Sequence, residues 1–364
     1  MNRASRPSAT TTQAKDVPTV DDKSPIKPPM RRLTFACLRE LSTNHFTSGA
    51  DLAKKFAVSR SAISDALKVA DQLGVTVFSL TRRGYRLGTP IDFLDLDPIR
   101  AQLRAQSKRI NLSIVDSIDS TNSAVMQQAA LHAPTGTCLA AEMQTAGRGR
   151  RGRGWQSGLG MSLTFSLLWR FDKGAAALGG LSLAVGLAVA NALRELGVPA
   201  ELKWPNDILV ADQKLGGILI ETQGDMLGPT AAVIGIGLNF RLSDSLRADI
   251  DQPVTAIVEA LTDIDMQKFV MTRNDLLGAI LRHLVGILDQ FAETGFAPMR
   301  DPWRALHAFE GRIVDVIGPS ESYAAKVVDV APDGTLLVDR GAGREPITAA
   351  ELSLRINSRS AVRK

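Results

Sequence analysis

Residues 147–155 are the stretch of the sequence whose residue types and spacing point most directly to chemistry. They read Gly-Arg-Gly-Arg-Arg-Gly-Arg-Gly-Trp, so four permanent cations are interspersed with glycines. Glycine lets a backbone approach an anion closely, and a guanidinium fork binds phosphate or carboxylate oxygens in pairs. Such a loop can close over an acyl phosphate and exclude water. The alternative is an Arg/Gly nucleic-acid segment, but the run lies inside a folded region between Gln144 and Trp155, which favours an active-site loop. It is not a Walker A loop, because no Gly-Lys-Ser/Thr follows.

A second run, residues 203–208, reads Lys-Trp-Pro-Asn-Asp-Ile. Lys203 precedes a Trp-Pro turn that would hold its ammonium group in one direction. A positioned cation can neutralise a carboxylate and a phosphate as these two anions approach each other. The residues alone support equally well a surface lysine before a β-turn built on Pro205 and Asn206.

Three further runs indicate a ligand site only when they are taken together with the first two. Residues 120–122 (Ser-Thr-Asn) precede a predicted helix, where capping is the default role and binding of a polar ligand head is the alternative. Residues 214–218 (Lys-Leu-Gly-Gly-Ile) and 235–239 (Gly-Ile-Gly-Leu-Asn) place glycines at strand ends, where a flat ligand can approach closely. Each of these signals is weak by itself.

The elements that must position these runs are preceded by a small unit at residues 33–88. Apolar spacing predicts three helices, the second capped by Ser48 and the third capped by Ser59 and ended by Gly74. A strand, an Arg-Arg-Gly turn at 82–84 and a second strand follow. Three helices and a β-hairpin make a winged helix-turn-helix.

The rest of the chain predicts an enzyme core and a small barrel. Residues 90–98 are interpreted as a linker, and residues 99–306 alternate predicted strands and helices, as in mixed α/β enzymes. Residues 174–193 are uncharged for long enough to raise the question of a membrane span, but their Gly/Ala content favours a buried helix. Short strands with glycine turns at 310–356 predict a small β-barrel. The predicted fold class is α+β.

Charge and cysteine content bound the classes of function. Residues 1–32, 33–88 and 355–364 each carry net +4, so residues 89–354 carry net −7 of the chain's total of +5. Any electrostatic case for binding nucleic acid therefore rests on the first 88 residues. Residues 1–32 are predicted to be a disordered tail. The two cysteines, Cys37 and Cys138, cannot form a disulfide framework and no Cys/His cluster suggests zinc. We expect a cytoplasmic protein with no membrane association.

The Ser-Thr-Asn, glycine/arginine and Lys-Trp-Pro-Asn-Asp runs, in this order, resemble those of the biotin protein ligases, and the resemblance covers roughly residues 33–355. It implies a core like those of class II synthetases and biotin/lipoate ligases, between a winged helix-turn-helix and an SH3-like barrel. It implies that biotin and MgATP form biotinyl-5′-adenylate and pyrophosphate. The adenylate would then acylate one lysine of a biotin carboxyl carrier protein, a subunit of acetyl-CoA carboxylase.

The resemblance also implies site residues. It gives catalytic roles to Lys203, which would bind the biotin carboxylate and α-phosphate, and to Arg150, which would retain the intermediate. The implied biotin-binding residues are Ser120, Thr121, Asn122, Gln144, Arg148, Gly149, Arg150 and Lys203. The implied nucleotide-binding residues are Arg148, Arg150, Arg151, Arg153, Asn206, Gly217, Gly235, Gly237 and Asn239. Magnesium would enter with ATP rather than at a tight metal site. Pro253 departs from the family near the place where an adenine-stacking aromatic is expected.

The front unit resembles the DNA-binding domain of the bifunctional members, which repress biotin-synthesis genes. In those proteins the adenylate promotes a homodimer that binds operator DNA. The implied DNA contacts are Arg60, Ser61, Ser64 and Lys68 on the third helix, and Arg82 and Arg83 in the wing. Asp65 is a departure, since an acid on this helix repels phosphate unless it reads a cytosine amine.

Two other functions stay open at this point. A lipoate ligase has a related core and related adenylate chemistry, although the glycine/arginine loop belongs to the biotin branch. The second alternative is a DNA-binding regulator that senses biotin without ligating it, against which the intact Arg150 and Lys203 argue.

Overall fold

A computed structural model describes residues 28–248, 250, 252–261, 271–318, 322–341, 343–347 and 353–356. Its α-helices are α1 (Pro28–Arg39), α2 (Gly49–Lys55), α3 (Arg60–Lys68), α4 (Leu96–Leu103), α5 (Thr121–Ala130), α6 (Leu181–Glu195), α7 (Asp244–Ala248), α8 (Ile257–Ala260), α9 (Arg273–Thr294) and α10 (Arg300–Arg304). Its strands are β1 (Val77–Leu80), β2 (Gly84–Leu87), β3 (Asn111–Ile118), β4 (Thr137–Gln144), β5 (Gly147–Arg148), β6 (Gly154–Trp155), β7 (Ser162–Phe171), β8 (Glu201–Lys203), β9 (Asp207–Val210), β10 (Gln213–Gly224), β11 (Thr230–Asn239), β12 (Ile313–Ile317), β13 (Ser322–Val330), β14 (Leu336–Asp339), β15 (Arg344–Ile347) and β16 (Ser353–Ile356). The predicted tail lies almost wholly outside the described residues.

The front unit is the winged helix-turn-helix that its sequence predicts. The Ser48 and Ser59 side chains accept hydrogen bonds from the first turns of α2 and α3, as capping requires. After a short 3₁₀ turn, Gly74 ends the third helical segment in the left-handed region at φ 74°. Strands β1 and β2 then pair as the wing. Local capping chemistry thus fixes the position of the helix that would enter a DNA groove.

A seven-stranded sheet forms the centre of the molecule, in the order β3-β4-β7-β11-β10-β9-β8. The pair β3–β4 is parallel, and the other neighbouring pairs are antiparallel. Alternate residues of the strands face opposite sides of the sheet. Ala140 packs in the apolar core shared with α6 and α9, and its neighbour Leu139 packs in the core on the other side, shared with α5. The second face, against α5, is the one that carries the candidate site.

Helix α6 is the segment that raises the question of a membrane span. The stretch Ala175–Glu195 is long and apolar enough to cross a membrane, and 67 % of its most apolar window is buried inside the protein. The α-helix itself has 15 residues, a length of about 22 Å, which is shorter than the ~30 Å hydrocarbon layer. It packs against α9 as a core helix, as its Gly/Ala composition predicts.

The interpretation of residues 90–98 as a linker is wrong. Helix α4 begins at Leu96, and Leu94 is buried, so the ordered core starts before residue 99. The Leu94 N–H donates to Glu142 at 2.8 Å, and Arg273 donates to the carbonyl of Asp92. Glu142 and Arg273 form a fully buried ion pair at 2.6 Å. The hydrogen bonds to the backbone of residues 92 and 94 help to offset the cost of removing these two charges from water. These partners come from distant parts of the chain, so the local composition of the segment does not show them.

The strand that carries Glu142 also joins the winged helix to the core. Met143 packs in the apolar cluster of the winged helix, together with Leu159. Arg39 of α1 reaches Asp116 on β3 at 2.7 Å and Glu142 at 3.6 Å. The two units therefore share a packed interface.

The C-terminal unit is a five-stranded antiparallel sheet in the order β15-β14-β13-β12-β16, the small SH3-like barrel of the predicted fold class. The sequence predicts four strands here, at 313–316, 324–330, 335–338 and 351–354. The last of them lies partly outside the described residues, and β15 has no predicted counterpart. The Trp204 indole N–H donates to the carbonyl of Gly334 at 3.0 Å. The barrel is thereby attached to the strand end that carries Lys203.

Candidate active site

One cavity of about 780 Å³ opens on the sheet between α5 and the glycine/arginine loop. Every residue assigned to biotin or nucleotide from the sequence lies in its lining: Ser120, Thr121, Asn122, Gln144, Arg148, Gly149, Arg150, Arg151, Arg153, Lys203, Asn206, Gly217, Gly235, Gly237 and Asn239. They come from α5, β4, the loop, and the β8–β11 end of the sheet. The sequence runs therefore converge on one site although they span more than one hundred positions.

The floor of the cavity is made by glycines of β11. A Cβ atom at Gly235 would lie 2.2 Å from Oδ1 of Asn122, and one at Gly237 would lie 2.6 Å from the Trp155 ring. Any side chain at these positions would displace the two groups that stand over the strand. The glycines are thus required for close packing around the cavity rather than for backbone flexibility.

A hydrogen-bond network defines one end of the cavity. The Gln144 Oε1 atom accepts from both the N–H and the hydroxyl of Thr121, at 2.7 and 3.0 Å. The Thr121 and Ser166 hydroxyls are 2.8 Å apart, and Ser166 donates to Asn122 Oδ1 at 2.7 Å. The Asn122 amide nitrogen donates to Glu221 at 2.8 Å. Because the Gln144 oxygen is committed to Thr121, Gln144 can offer a ligand only N–H donors, and Asn122 can offer an acceptor lone pair.

The glycine/arginine loop is a short hairpin. Gly147 pairs with Trp155 and Arg148 with Gly154, while Arg151 at the tip adopts the left-handed conformation at φ 60°. Arg150 donates to Asn206 at 3.0 Å, and burial lowers the pKa of its guanidinium from the ordinary value. The loop thus stands over the cavity and directs arginine side chains to its edge.

Two lysines clasp one carboxylate at the other end of the cavity. Asp207 lies 2.7 Å from the Lys214 ammonium and 3.4 Å from that of Lys203. Burial lowers the pKa of Lys203, and the carboxylate of Asp207 opposes this shift in part. Burial alone would raise the pKa of Asp207, but Lys214 and Lys203 outweigh it and hold the pKa below its usual range. The peptide bond between Trp204 and Pro205 is cis.

Several lining or supporting residues were not predicted from the sequence. Lys214 and Asp207 lie in runs of which other residues were assigned to the site. The pairing of β9 with β10 brings their side chains together. Trp155 lies against Gly237, and its buried indole N–H has no partner among the described residues. Glu221 lies seven residues after Lys214 and carries no motif of its own. Phe309 and Leu354 also reach the cavity from the C-terminal part of the chain.

Pro253 lines the cavity, as its place in the sequence suggests, together with Gln252 and Val254. Within the described ranges, no group of three or more His, Cys, Asp or Glu side chains could hold a metal ion. The polar groups that line the cavity are cations, amides and hydroxyls, together with the carboxylates of Asp207 and Asp212.

The residues assigned to DNA lie on the winged helix. Arg60, Ser61 and Lys68 are exposed on α3, and Ser64 is half-buried. Arg82 and Arg83 are exposed at the tip of the wing. The Ser61 hydroxyl is 2.8 Å from that of Ser59, and Lys68 pairs with Asp65 at 3.1 Å. The negative charge of Asp65, the residue that departs from the family pattern, is thus paired with the positive charge of Lys68.

Comparisons with known proteins agree with this arrangement. A model of the Biotin/lipoate A/B protein ligase family matches residues 114–239, and an HTH domain model matches residues 34–86. The bifunctional ligase/repressor BirA of Salmonella typhimurium is 35 % identical over 318 residues, covering 86 % of this chain and 95 % of that protein. The biotin–[acetyl-CoA-carboxylase] ligase of Mycobacterium tuberculosis is 34 % identical over 273 residues, covering 73 % and 96 %. The structure of the Aquifex aeolicus biotin protein ligase in complex with biotin and ATP superposes with a TM-score of 0.57 and 28 % identity, covering 68 % of this chain and 99 % of that one.

The fold and the cavity define a ligase core joined to a DNA-binding domain. Because the similarity to the bifunctional relatives extends through both parts, the chain belongs to the family of bifunctional biotin ligase/repressors.

Proposed function

We propose that this chain activates biotin with MgATP, transfers it to a lysine of a biotin carboxyl carrier protein, and represses biotin-synthesis genes in response to the adenylate. The observation that carries the ligase function is the polarity of the cavity, which has neutral amide groups at one end and fixed cations at the other. Biotin has the same division, with a neutral ureido ring and a carboxylate.

The amide end fits the ureido ring. A urea presents N–H donors and one carbonyl acceptor, which complement the Asn122 oxygen and the Gln144 N–H groups. The Ser166 and Glu221 contacts hold Asn122 in place, so the site is organised before the ligand arrives. Preorganised polar groups give orientation and specificity at little entropic cost.

The cationic end fits the reaction. A biotin carboxylate oxygen forms a bond to the α-phosphorus of ATP, and the bond from that phosphorus to the bridging oxygen breaks as pyrophosphate leaves. Both reactants are anions, so Arg150, Lys203 and Lys214 lower the barrier by neutralising them where they meet. In the second step the carrier amine attacks the acyl carbon and AMP leaves. The glycine/arginine loop excludes water from the labile anhydride.

The ligase proposal is tested by pyrophosphate release with biotin or lipoate in the presence of MgATP. Release that depends on biotin supports the assignment, and release that prefers lipoate would make the chain a lipoate ligase. A protein that binds biotin and DNA but releases no pyrophosphate would be a regulator that does not ligate.

The roles of the two lysines can be separated in the same assay. We assign Lys203 to the biotin carboxylate and the α-phosphate. Lys214 is a second candidate for this role, because it pairs with the same Asp207 side chain as Lys203. Lys203→Ala should slow adenylate formation by about 100-fold, the scale of losing one preorganised charge contact. Wild-type rates in Lys203→Ala together with a large loss in Lys214→Ala would move the role to Lys214. Lys326→Ala, at an exposed position of the barrel, is the matched control.

For the repressor function, we assign DNA binding to residues 33–88, ligation to residues 99–306 and the barrel to residues 310–356. We further propose a cytoplasmic protein that binds operator DNA as a homodimer promoted by biotinyl-5′-adenylate. The exposed basic residues of α3 and the wing support this assignment.

The DNA experiment measures retention of promoter DNA of biotin-synthesis genes at fixed physiological salt, with and without biotin plus MgATP. Retention that needs both ligands, and that Arg60→Ala weakens while Lys326→Ala does not, supports a bifunctional protein. Weak retention that is independent of ligand and lost with salt would remove the repressor assignment. Sedimentation of the protein with and without the two ligands tests the dimer.

A further inference from the structure

We propose that Glu221 is a positioning residue that holds the glycine/arginine loop closed through Arg148. The inference rests on the ligase function proposed above. Glu221 lies on β10, at the register position opposite Val233, and its side chain connects the loop to the polar end of the cavity without belonging to the cavity lining. A direct role in binding biotin or nucleotide is therefore not assigned to it.

One carboxylate oxygen makes both connections. Glu221 Oε2 accepts from the Arg148 guanidinium at 2.5 Å and from the Asn122 amide at 2.8 Å. The Asn122 oxygen is in turn fixed by Ser166, which is fully buried. Glu221 therefore ties a residue of the loop to a residue that the packing of the sheet holds still.

Arg148 lies at the base of the hairpin, where its backbone pairs with Gly154. A contact at the base restrains the direction of the whole loop, including Arg150, whose Asn206 contact lies on the opposite edge of the cavity. In addition to the packing of Trp155 against Gly237, the loop is thus attached at Glu221 and at Asn206. Release of the Glu221 contact removes one of these restraints and allows the loop to open more often.

The strength of the Glu221 contact suits reversible closure. The Arg148 and Glu221 side chains are 44 % and 29 % exposed, so water and salt weaken their attraction. A fully buried pair would hold the loop too firmly for a reactant to enter and a carrier lysine to approach. We infer that Glu221 lengthens the residence of the adenylate, and that this effect decreases as the ionic strength rises.

The first measurement needs no ligand. Trypsin cleaves after arginine, so the rate of cleavage within residues 148–153 of the ligand-free protein reports how often the loop opens. Glu221→Gln, which keeps the shape and the acceptor for Asn122, should raise this rate by about fivefold, the upper range for an exposed ion pair. Glu195→Gln, which removes the partner of Arg282 in a surface pair far from the loop, should leave it unchanged.

The second measurement follows release of preformed biotinyl-5′-adenylate into an excess of unlabelled biotin, at low and high salt. We expect faster release from Glu221→Gln, a dependence of the release rate on salt that is smaller in this variant than in the wild type, and partial rescue by Glu221→Asp. The double variant Arg148→Met/Glu221→Gln should release the adenylate no faster than the faster single variant, because both changes remove the same contact.

The proposal is overturned if Glu221→Gln keeps the wild-type rates of loop cleavage and adenylate release. It is also overturned if release accelerates while the salt dependence stays as in the wild type, since Glu221 would then act through Asn122 alone. If the wild type forms no adenylate, the ligase function fails, and the trypsin result still decides whether Glu221 holds the loop. Thermal unfolding of each variant separates these outcomes from loss of the fold.

Discussion

Substitution of Gly235 by alanine should separate ligand binding from folding. The new Cβ would lie 2.2 Å from Oδ1 of Asn122 and 2.9 Å from its Cγ, so the Asn122 amide must retreat by about 1 Å to reach an ordinary contact distance. This retreat breaks the 2.7 Å bond from Ser166 and the 2.8 Å bond to the Glu221 carboxylate. One neutral and one charged hydrogen bond together correspond to about 3 kcal/mol.

Asn122 can return to its present position only by overlapping the new methyl group, so a ligand that binds through Asn122 meets a displaced amide and loses an interaction of similar size. We therefore expect the affinity for biotin to fall by about 100-fold in Gly235→Ala. Isothermal titration with biotin in the absence of ATP measures the change, and thermal unfolding confirms that the protein is folded. Gly286→Ala is the matched control, because Gly286 is exposed, the added methyl group meets no atom within 4 Å, and alanine favours helix. Biotin affinity within about threefold of the wild type in Gly235→Ala would refute the placement of Asn122 at the ligand.

The remaining predictions concern charge. Lys203→Arg should shift the decline of the adenylate-formation rate at alkaline pH to higher pH. Because the pKa of Lys203 is lowered, its ammonium loses its proton at a lower pH than that of an ordinary lysine, whereas a guanidinium keeps its charge. An unchanged pH–rate profile would contradict this prediction. Arg150→Gly should release free adenylate and biotinylate lysines outside the carrier, as read by mass spectrometry of a bystander protein; labelling confined to the carrier would show that Arg150 does not retain the adenylate. Glu142→Ala should lower the free energy of unfolding by about 3–5 kcal/mol in urea, since it leaves the buried Arg273 charge unpaired, and Glu142→Met/Arg273→Leu should recover most of that loss. A small loss in the single variant would mean that water reaches Arg273.

Elements that depend on neighbouring residues were predictable from the sequence. Ser48, Ser59 and Gly74 mark helix ends because capping involves only residues within one turn. The β9–β10 hairpin was not predicted, because its turn, formed by Ala211 and Asp212 at positive φ, lacks the Asn-Gly or Asp-Gly pair that usually identifies such a hairpin.

The site was predictable as a set of motifs and not as a set of contacts. The glycine/arginine loop and the lysine run could be recognised because their chemistry lies in consecutive residues. Lys214 and Glu221 became part of the site through pairing across the sheet, which single-residue patterns do not record. Residues 92–96 resemble a linker in composition for a similar reason. The side chains that hold their backbone, Glu142 and Arg273, are distant in sequence.

Three consecutive residues at the end of β4 serve three separate parts of the molecule. Glu142 pairs with α9, Met143 packs under the winged helix, and Gln144 lies at the ligand cavity. Loss of the front domain would expose Met143 and Leu159, which pack in the apolar cluster of the winged helix. We therefore expect a ligase without the DNA-binding domain to carry a polar residue at position 143, next to the glutamine that lines the cavity. The constraint couples the evolution of the two activities even where only one of them is under selection.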